Sequence, residues 1–200
     1  MIALVRSELY RVVTIRSSLF SLVVLGGLGL LIGWFNMDAW ELLAGIGAFG
    51  LGVMQVAQHH QHRTAVLLHL ARPRRLTVLA GQLVTTVLVA VGFAVLSGVS
   101  VLGRGEVTQF RDTLTVVPLM AVFGAANAAV LRRPTWVFLG WTGWFLFVEG
   151  LLGRLTAPLP FSAFLAAGAG DRQSLLVLAC WTGLAVVGAV VAVRRDLTGD

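Results

Sequence analysis

Long apolar runs separated by short polar breaks dominate the chain. The runs at 19–35, 42–57, 76–102, 113–131, 135–152 and 174–193 are nearly free of charge. Each approaches the roughly 20 apolar residues that a helix needs to cross a hydrocarbon core of about 30 Å. Ahead of the first run, residues 1–17 alternate differently. Ile2, Val5, Leu9 and Val12 share one helical face, and Ser7, Arg11 and Thr14, followed by Ser18, share another. That periodicity predicts a helix lying in the membrane interface. Between the fifth and sixth runs, residues 153–173 carry the stretch GRLTAPLPFSAFLAAGAGDR, too apolar for an ordinary solvated loop. Pro158 and Pro160 interrupt any continuous helix there, so the stretch is expected to form a re-entrant hairpin packed against the bundle, because irregular backbone at membrane depth needs protein around it.

The expected architecture is therefore an all-α integral membrane protein. It is one domain, 1–200, with six transmembrane helices, an N-terminal amphipathic interfacial helix and a re-entrant hairpin between spans five and six. Small residues thread these runs: Gly29 and Gly33 in the first, Ala44, Ala48 and Gly52 in the second, and GAANAA at 124–129 in the fourth. Such positions let helix backbones approach closely where lipid gives no hydrophobic drive to associate.

Composition agrees: 58% of residues are hydrophobic and only 12% charged, far from the roughly 25% charged of soluble proteins. The formal charge of +6 comes with 15 basic residues, every one an arginine. They flank apolar runs instead of forming a continuous stripe, which is the pattern of topology signals and not of nucleic-acid binding. With the N-terminus inside, Arg6, Arg11, Arg16, Arg63, Arg72, Arg74, Arg75, Arg132, Arg133, Arg194 and Arg195 face the cytoplasm. Arg104, Arg111, Arg154 and Arg172 face outward. This bias predicts both termini in the cytoplasm and an outward-facing hairpin. Without lysine there is no P-loop, whose lysine reaches the terminal phosphates of a nucleotide. Any ATP-driven process must draw on another chain. The single cysteine, Cys180, excludes an intramolecular disulfide.

All four histidines fall in HHQHRTAVLLHLARPRR, residues 59–75. A metal site is not expected from them, since neighbouring positions on a helix point apart and no cysteine or carboxylate stands among them. A polar connection after the second span is expected at 58–75. QHHQHRTAVLLHLARPRR resembles the first cytoplasmic loop of ABC-2 type transporter permeases, in which E-x-R-x-G-T precedes a short apolar helix and then P-x-R or P-R-R. Thr64, Pro73, Arg74 and Arg75 match that pattern, while His59 and Arg63 stand where the family carries glutamate and glycine. AVFGAANAAVLRRPTWVFLGWTGWFLFVEGLLGRL looks like the fourth and fifth spans of the actinobacterial branch of that family. LPFSAFLAAGAGD resembles its outer hairpin, and VAVRRDLTGD is similar to its tail.

The resemblance implies a permease subunit of a bacterial cytoplasmic-membrane exporter, paired with an identical or related permease. It implies that His59, His60, Gln61, His62, Arg63 and Thr64, with the N-terminal helix, contact a separate ATPase subunit. ATP and magnesium would bind there and not to this chain. The expected cargo is hydrophobic or amphipathic: a drug, antibiotic, lipid or peptide. A non-transporting scaffold of the same fold is the alternative, kept open by the departures at His59 and Arg63. No catalytic residue is expected. An intramembrane enzyme needs convergent nucleophiles, acids or metal ligands, and the expected spans offer little besides Glu149, Cys180 and Asn127.

Glu149 is the one carboxylate inside an expected span, about 20 Å along the fifth helix and near its outer, water-accessible end. An intramembrane acid is costly and by default a functional hypothesis. It is expected to pair with Arg154, to anchor the hairpin by accepting hydrogen bonds at a helix end, or to face a cationic substrate, the structural roles being favoured. Trp141, Trp144 and Phe145 share a face of that helix, and Asn127 is the amide inside the fourth. Together with Glu149 they are the candidate substrate-pathway residues.

Overall fold

The computed structural model describes residues 2–14, 16–61 and 75–195, and among them every regular element is helical. An amphipathic helix α1 (Ile2–Thr14) precedes α2 (Arg16–Phe35) and α3 (Met37–Gln61). After the stretch 62–74, which lies outside the described residues, come α4 (Arg75–Ser97), a one-residue break at Gly98, α5 (Val99–Gly103) and α6 (Val107–Leu131). Helix α7 (Pro134–Gly143) continues as a π-helix over Trp144–Leu152, and α8 (Pro160–Gly168) and α9 (Arg172–Arg195) complete the bundle.

Five segments are long and apolar enough to cross a membrane: Met37–Gln58, Leu76–Gly103, Val107–Leu131, Pro134–Leu152 and Arg172–Arg195. These contain the five later expected runs. The first expected span falls on α2, 20 residues long, in which Leu22–Phe35 is an apolar helical stretch among the described residues. Five such helices among the described residues give the chain the character of a multi-pass membrane protein.

Several helices extend further than their hydropathy suggests. NMDAWE, expected as a loop, leaves only Asn36 outside a helix. Its Oδ1 accepts the Ala39 N–H at 3.0 Å and so caps α3. Asp38 sits in the first turn of that helix, where a negative charge complements the helix dipole. In the expected connection GRGEVTQFRD only Arg104, Gly105 and Glu106 remain non-helical, with Gly105 in the left-handed region at φ 83°. Arg104 donates from Nη1 to the Trp34 carbonyl at 2.9 Å, satisfying an end of α2. The stretch 58–75 does not begin as a loop either, because α3 runs on through His59, His60 and Gln61.

At the centre, α3 and α6 run parallel and make the most extensive contact of any helix pair. A Cβ placed on Gly52 would overlap the Ala121 carbonyl oxygen, and one placed on Gly124 would overlap that of Phe49. The two backbones therefore touch directly, as small-residue packing in membranes allows. Helix α9 lies along α6, where Thr182 donates to the Leu119 carbonyl at 3.3 Å, close to Pro118 inside α6. At the end of the bundle carrying Asn36 and Arg104, Trp40 is fully buried, stacks on Phe110 and donates from its indole to Ser97 Oγ at 3.2 Å.

Helix α8 runs antiparallel to α3. Gly168 packs on Glu41, Phe164 on Gly45 and Phe161 on Phe49. The start of α8 therefore lies eight residues, or about 12 Å, further along α3 than its end.

Candidate functional site

Pro160 occupies the first turn of α8, and the residue before it, Leu159, has no side chain able to cap a helix. The leading N–H groups of this buried helix need acceptors from elsewhere. Glu149 supplies them. Its Oε1 accepts the Phe161 N–H at 3.3 Å and its Oε2 the Ser162 N–H at 2.6 Å, while the Ser162 hydroxyl donates to Oε2 at 2.8 Å. The carboxylate thus faces the positive end of the α8 dipole. Glu149 is 0% exposed, not water-accessible as the sequence suggested. Arg154 is exposed, and every hydrogen-bond donor found on Glu149 among the described residues is neutral.

A fourth donor reaches Glu149 because of the π-helix. On an α-helix, positions i and i+5 point about 140° apart. A π turn closes through i→i+5 hydrogen bonds and brings them together, as in the bond from Gly153 N to Val148 O at 2.8 Å. Trp144 therefore lies beneath Glu149 and donates its indole N–H to Oε1 at 3.1 Å. The segment closes with Arg154 and Leu155 both in the left-handed region, φ 47° and 56°. Leu155 N–H returns to the Glu149 carbonyl at 2.8 Å.

Around this joint Trp141 lies edge-on to Phe123 at 4.8 Å, centroid to centroid, and also meets Phe49, Phe161 and Trp144, while Phe145 meets Phe161 at 5.1 Å. Four of the candidate pathway residues, Trp141, Trp144, Phe145 and Glu149, are thus assembled around the start of α8. Asn127 uses its amide otherwise, donating to Phe123 O on its own helix at 2.8 Å. Of the residues expected to meet an ATPase, His59, His60 and Gln61 form the end of α3, while His62, Arg63 and Thr64 lie outside the described residues.

Two polar joints went unseen in the sequence. Glu41 is buried inside α3, so Glu149 is not the only carboxylate within a candidate span. Its Oε2 accepts Gln109 Nε2 at 2.9 Å, and its other oxygen packs against the bare Cα of Gly168. At the other end of α3, Glu8 of α1 is buried and pairs with Arg11 Nη2 at 3.0 Å. Gln55 of α3, also buried, donates to Glu8 Oε2 at 3.4 Å. The i,i+3 spacing of Glu8 and Arg11 was the available signal. Treating α1 as a helix with its charges toward water concealed it.

Beside this second joint, a groove of about 420 Å³ runs between α1, α2 and α3, with Val89 and Phe138 contributing from α4 and α7. None of the five candidate pathway residues lines it. Outside the spans, Asp171 caps α9. Hydrogen bonds from the Ser174 hydroxyl and from the Gln173 and Ser174 N–H groups hold its carboxyl below the ordinary aspartate range. Among the described residues no three His, Cys, Asp or Glu side chains are grouped to hold a metal.

This arrangement can position helices and accept an apolar guest. No protein-family model matches the chain, and no curated protein matches it significantly.

Proposed function

We propose that this chain is the membrane-spanning permease subunit of an ATP-driven ABC exporter of hydrophobic or amphipathic cargo, with ATP and magnesium bound by a separate ATPase subunit. It works as a homodimer or as half of a pair with a related permease, in a bacterial cytoplasmic membrane with both termini inside. The observation that supports this reading best is the join between α1 and α3. The stretch that resembles the ATPase-contacting loop of ABC-2 permeases is bracketed by α3 and α4, and α3 is tied to the interfacial helix by the bond from Gln55 to Glu8. A push on residues 59–64 would pass into α3 and α1 together.

In this reading α8 and the turn before it form the re-entrant outer hairpin, and α2 completes six spans. Closure of the ATPase pair on ATP shifts the bundle between two discrete arrangements, since packed interfaces switch and do not stretch. Movement of the hairpin about Glu149 opens a path past Asn127, Trp141, Trp144 and Phe145.

The test is co-purification with an ATPase encoded beside this gene, followed by cargo-stimulated ATP hydrolysis in liposomes. The exporter reading expects a complex, stimulation and transport. Arg63→Glu combined with Thr64→Ala is expected to abolish stimulation while the helical content stays intact. A complex whose hydrolysis ignores every cargo, with no transport, would instead establish a scaffold of the same fold. Unchanged coupling in the double variant would remove residues 59–64 from the mechanism.

A further inference from the structure

Helix α8 has a carboxyl group at each end, and the two are bonded differently. At its start Glu149 is met by two backbone N–H groups, a hydroxyl and an indole. Beside its last residue, Gly168, stands Glu41 of α3, which is 4% exposed. Gln109 donates to Glu41 Oε2 at 2.9 Å, but Oε1 is buried and, among the described residues, meets no donor. That oxygen lies so close to Gly168 that a Cβ there would overlap it. The dipole of α8 is positive where Glu149 sits and negative where Glu41 sits. One end of the helix therefore favours a carboxylate and the other opposes it.

Among the described residues no cation offsets that opposition. On α3 itself Asp38 lies one turn before Glu41 and adds like charge. On α6 Gln109 is neutral, and Asp112, which approaches Gly170 just past α8, pairs with the exposed Arg111 at 3.2 Å; Glu106, before α6, is exposed. Helix α8 carries no ionisable side chain, and beyond it Asp171 is bonded to Ser174 and Arg172 is exposed. Arg104 donates to the Trp34 carbonyl. Of the other helices packed on α3, α7 has no ionisable residue, and Arg16 and Arg75 stand at the far starts of α2 and α4. A buried anion without a paired cation is costly, and taking up a proton removes that cost. A metal ion would need room that the contact with Gly168 does not leave, and no three metal-binding side chains are grouped among the described residues. A proton needs no such room.

We propose that Glu41 is a proton-binding site, occupied while the end of α8 is seated on α3 and vacated when α8 withdraws and water reaches the carboxyl. The proton sits on Oε1, leaving Oε2 to accept from Gln109. Protonation turns an acceptor without a donor into a donor, beside a helix end whose carbonyls offer lone pairs. The seated form binds the proton more tightly than the withdrawn one, so by linkage seating strengthens as pH falls and weakens as pH rises. The inference requires only the packing of α8 against α3 and does not rest on the exporter reading.

The experiment records infrared spectra of the purified full-length chain in phosphatidylcholine nanodiscs at about pH 7, where exposed carboxyl groups are ionised. The expected result is a carboxylic-acid C=O absorption that moves when glutamate is isotope-labelled and is missing from Glu41→Gln. Hydrogen exchange is then compared between about pH 6 and about pH 9, corrected for the intrinsic rate. Protection of the Ala167, Gly168 and Ala169 amides is expected to fall about tenfold in the parent and to stay level in Glu41→Gln, which copies the protonated carboxyl. An absorption that ignores the glutamate label or persists in Glu41→Gln overturns the proposal, and so does protection in the parent that is independent of pH. Folding of Glu41→Gln is checked by circular dichroism, while the label and the parent's own pH dependence test the idea without any substitution.

Discussion

Helix α3 meets α6 on one side and α2 on another, and glycines contribute to both faces in opposite ways. Toward α6, Gly52 and Gly124 remove every atom between two backbones, and nothing separates the helices. Toward the groove of about 420 Å³ beside α2, Gly50 has only Phe138 within reach of a Cβ, at 3.7 Å, whereas Gly47, also on the lining, packs tightly on Phe93 of α4. Small residues therefore bring helices together only where a backbone or ring of the partner stands in register with them, as Ala121, Phe49 and Phe93 do. At Gly50, with Phe138 the one neighbour in reach, the missing side chain leaves space. Composition alone does not distinguish these outcomes, because the same residue type on one helix gives contact or void according to what stands across from it.

Gly52→Leu should have the largest effect on this comparison. The new side chain has to displace the Ala121 backbone, and a loss of about 3 kcal/mol or more is expected, at or above the usual cost of overpacking. It would appear as loss of the monodisperse peak and of cooperative thermal unfolding; near-parent stability would show that α3 and α6 separate easily. Next comes Glu149→Ala, which strands the donors on Phe161, Ser162 and Trp144. A destabilisation of about 3 kcal/mol is expected, with faster hydrogen exchange at Phe161 and Ser162 first. Glu149→Gln keeps one acceptor oxygen but sets an amide N–H2 against the donors of the other, and should cost about 2 kcal/mol, between the parent and Glu149→Ala.

On the looser side, Gly50→Ala is expected to be neutral or stabilising by up to about 1 kcal/mol. Its Cβ would meet Phe138 at an ordinary 3.7 Å, and alanine favours the helix. A large loss would mean that the groove is as tightly closed as the α6 face. The smallest effect belongs to Asp171, which lies outside both contacts. Its folded pKa is depressed, so its contribution is present above the ordinary aspartate value and fades as pH falls through the lowered one. Exchange at the Gln173 and Ser174 amides should accelerate under acid, and Asp171→Asn should show weaker pH dependence there.

The apolar runs made the helices legible, because burial in lipid demands uninterrupted hydrogen-bonded backbone. Their ends were less so. Asp38 and Glu41 read as loop by hydropathy, yet Asp38 suits the first turn of a helix and Glu41 finds Gln109 only after folding. Glu149 stood out as an acid in an apolar run. Its acceptor role needed a helix start with no cap of its own, which Pro158 and Pro160 hinted at without naming the partner. Nothing in WFLFVEGLL announces a π-helix: no proline or polar residue other than Glu149 interrupts it. The winding is visible only through what it brings together, Trp144 with Glu149. Glu8 was hidden by treating a short helix with charges as one facing water, when it also faces α3.

The direct backbone seam between α3 and α6 restricts how this protein can move. Ordinary helix pairs shear by letting interlocked side chains change rotamer, and at Gly52 and Gly124 none intervenes. These two rods form a spine that tilts as one piece, so any swing must come from the members hung around it: α1 with its ion pair, α2 across its gap, and α7 on the joint at Glu149.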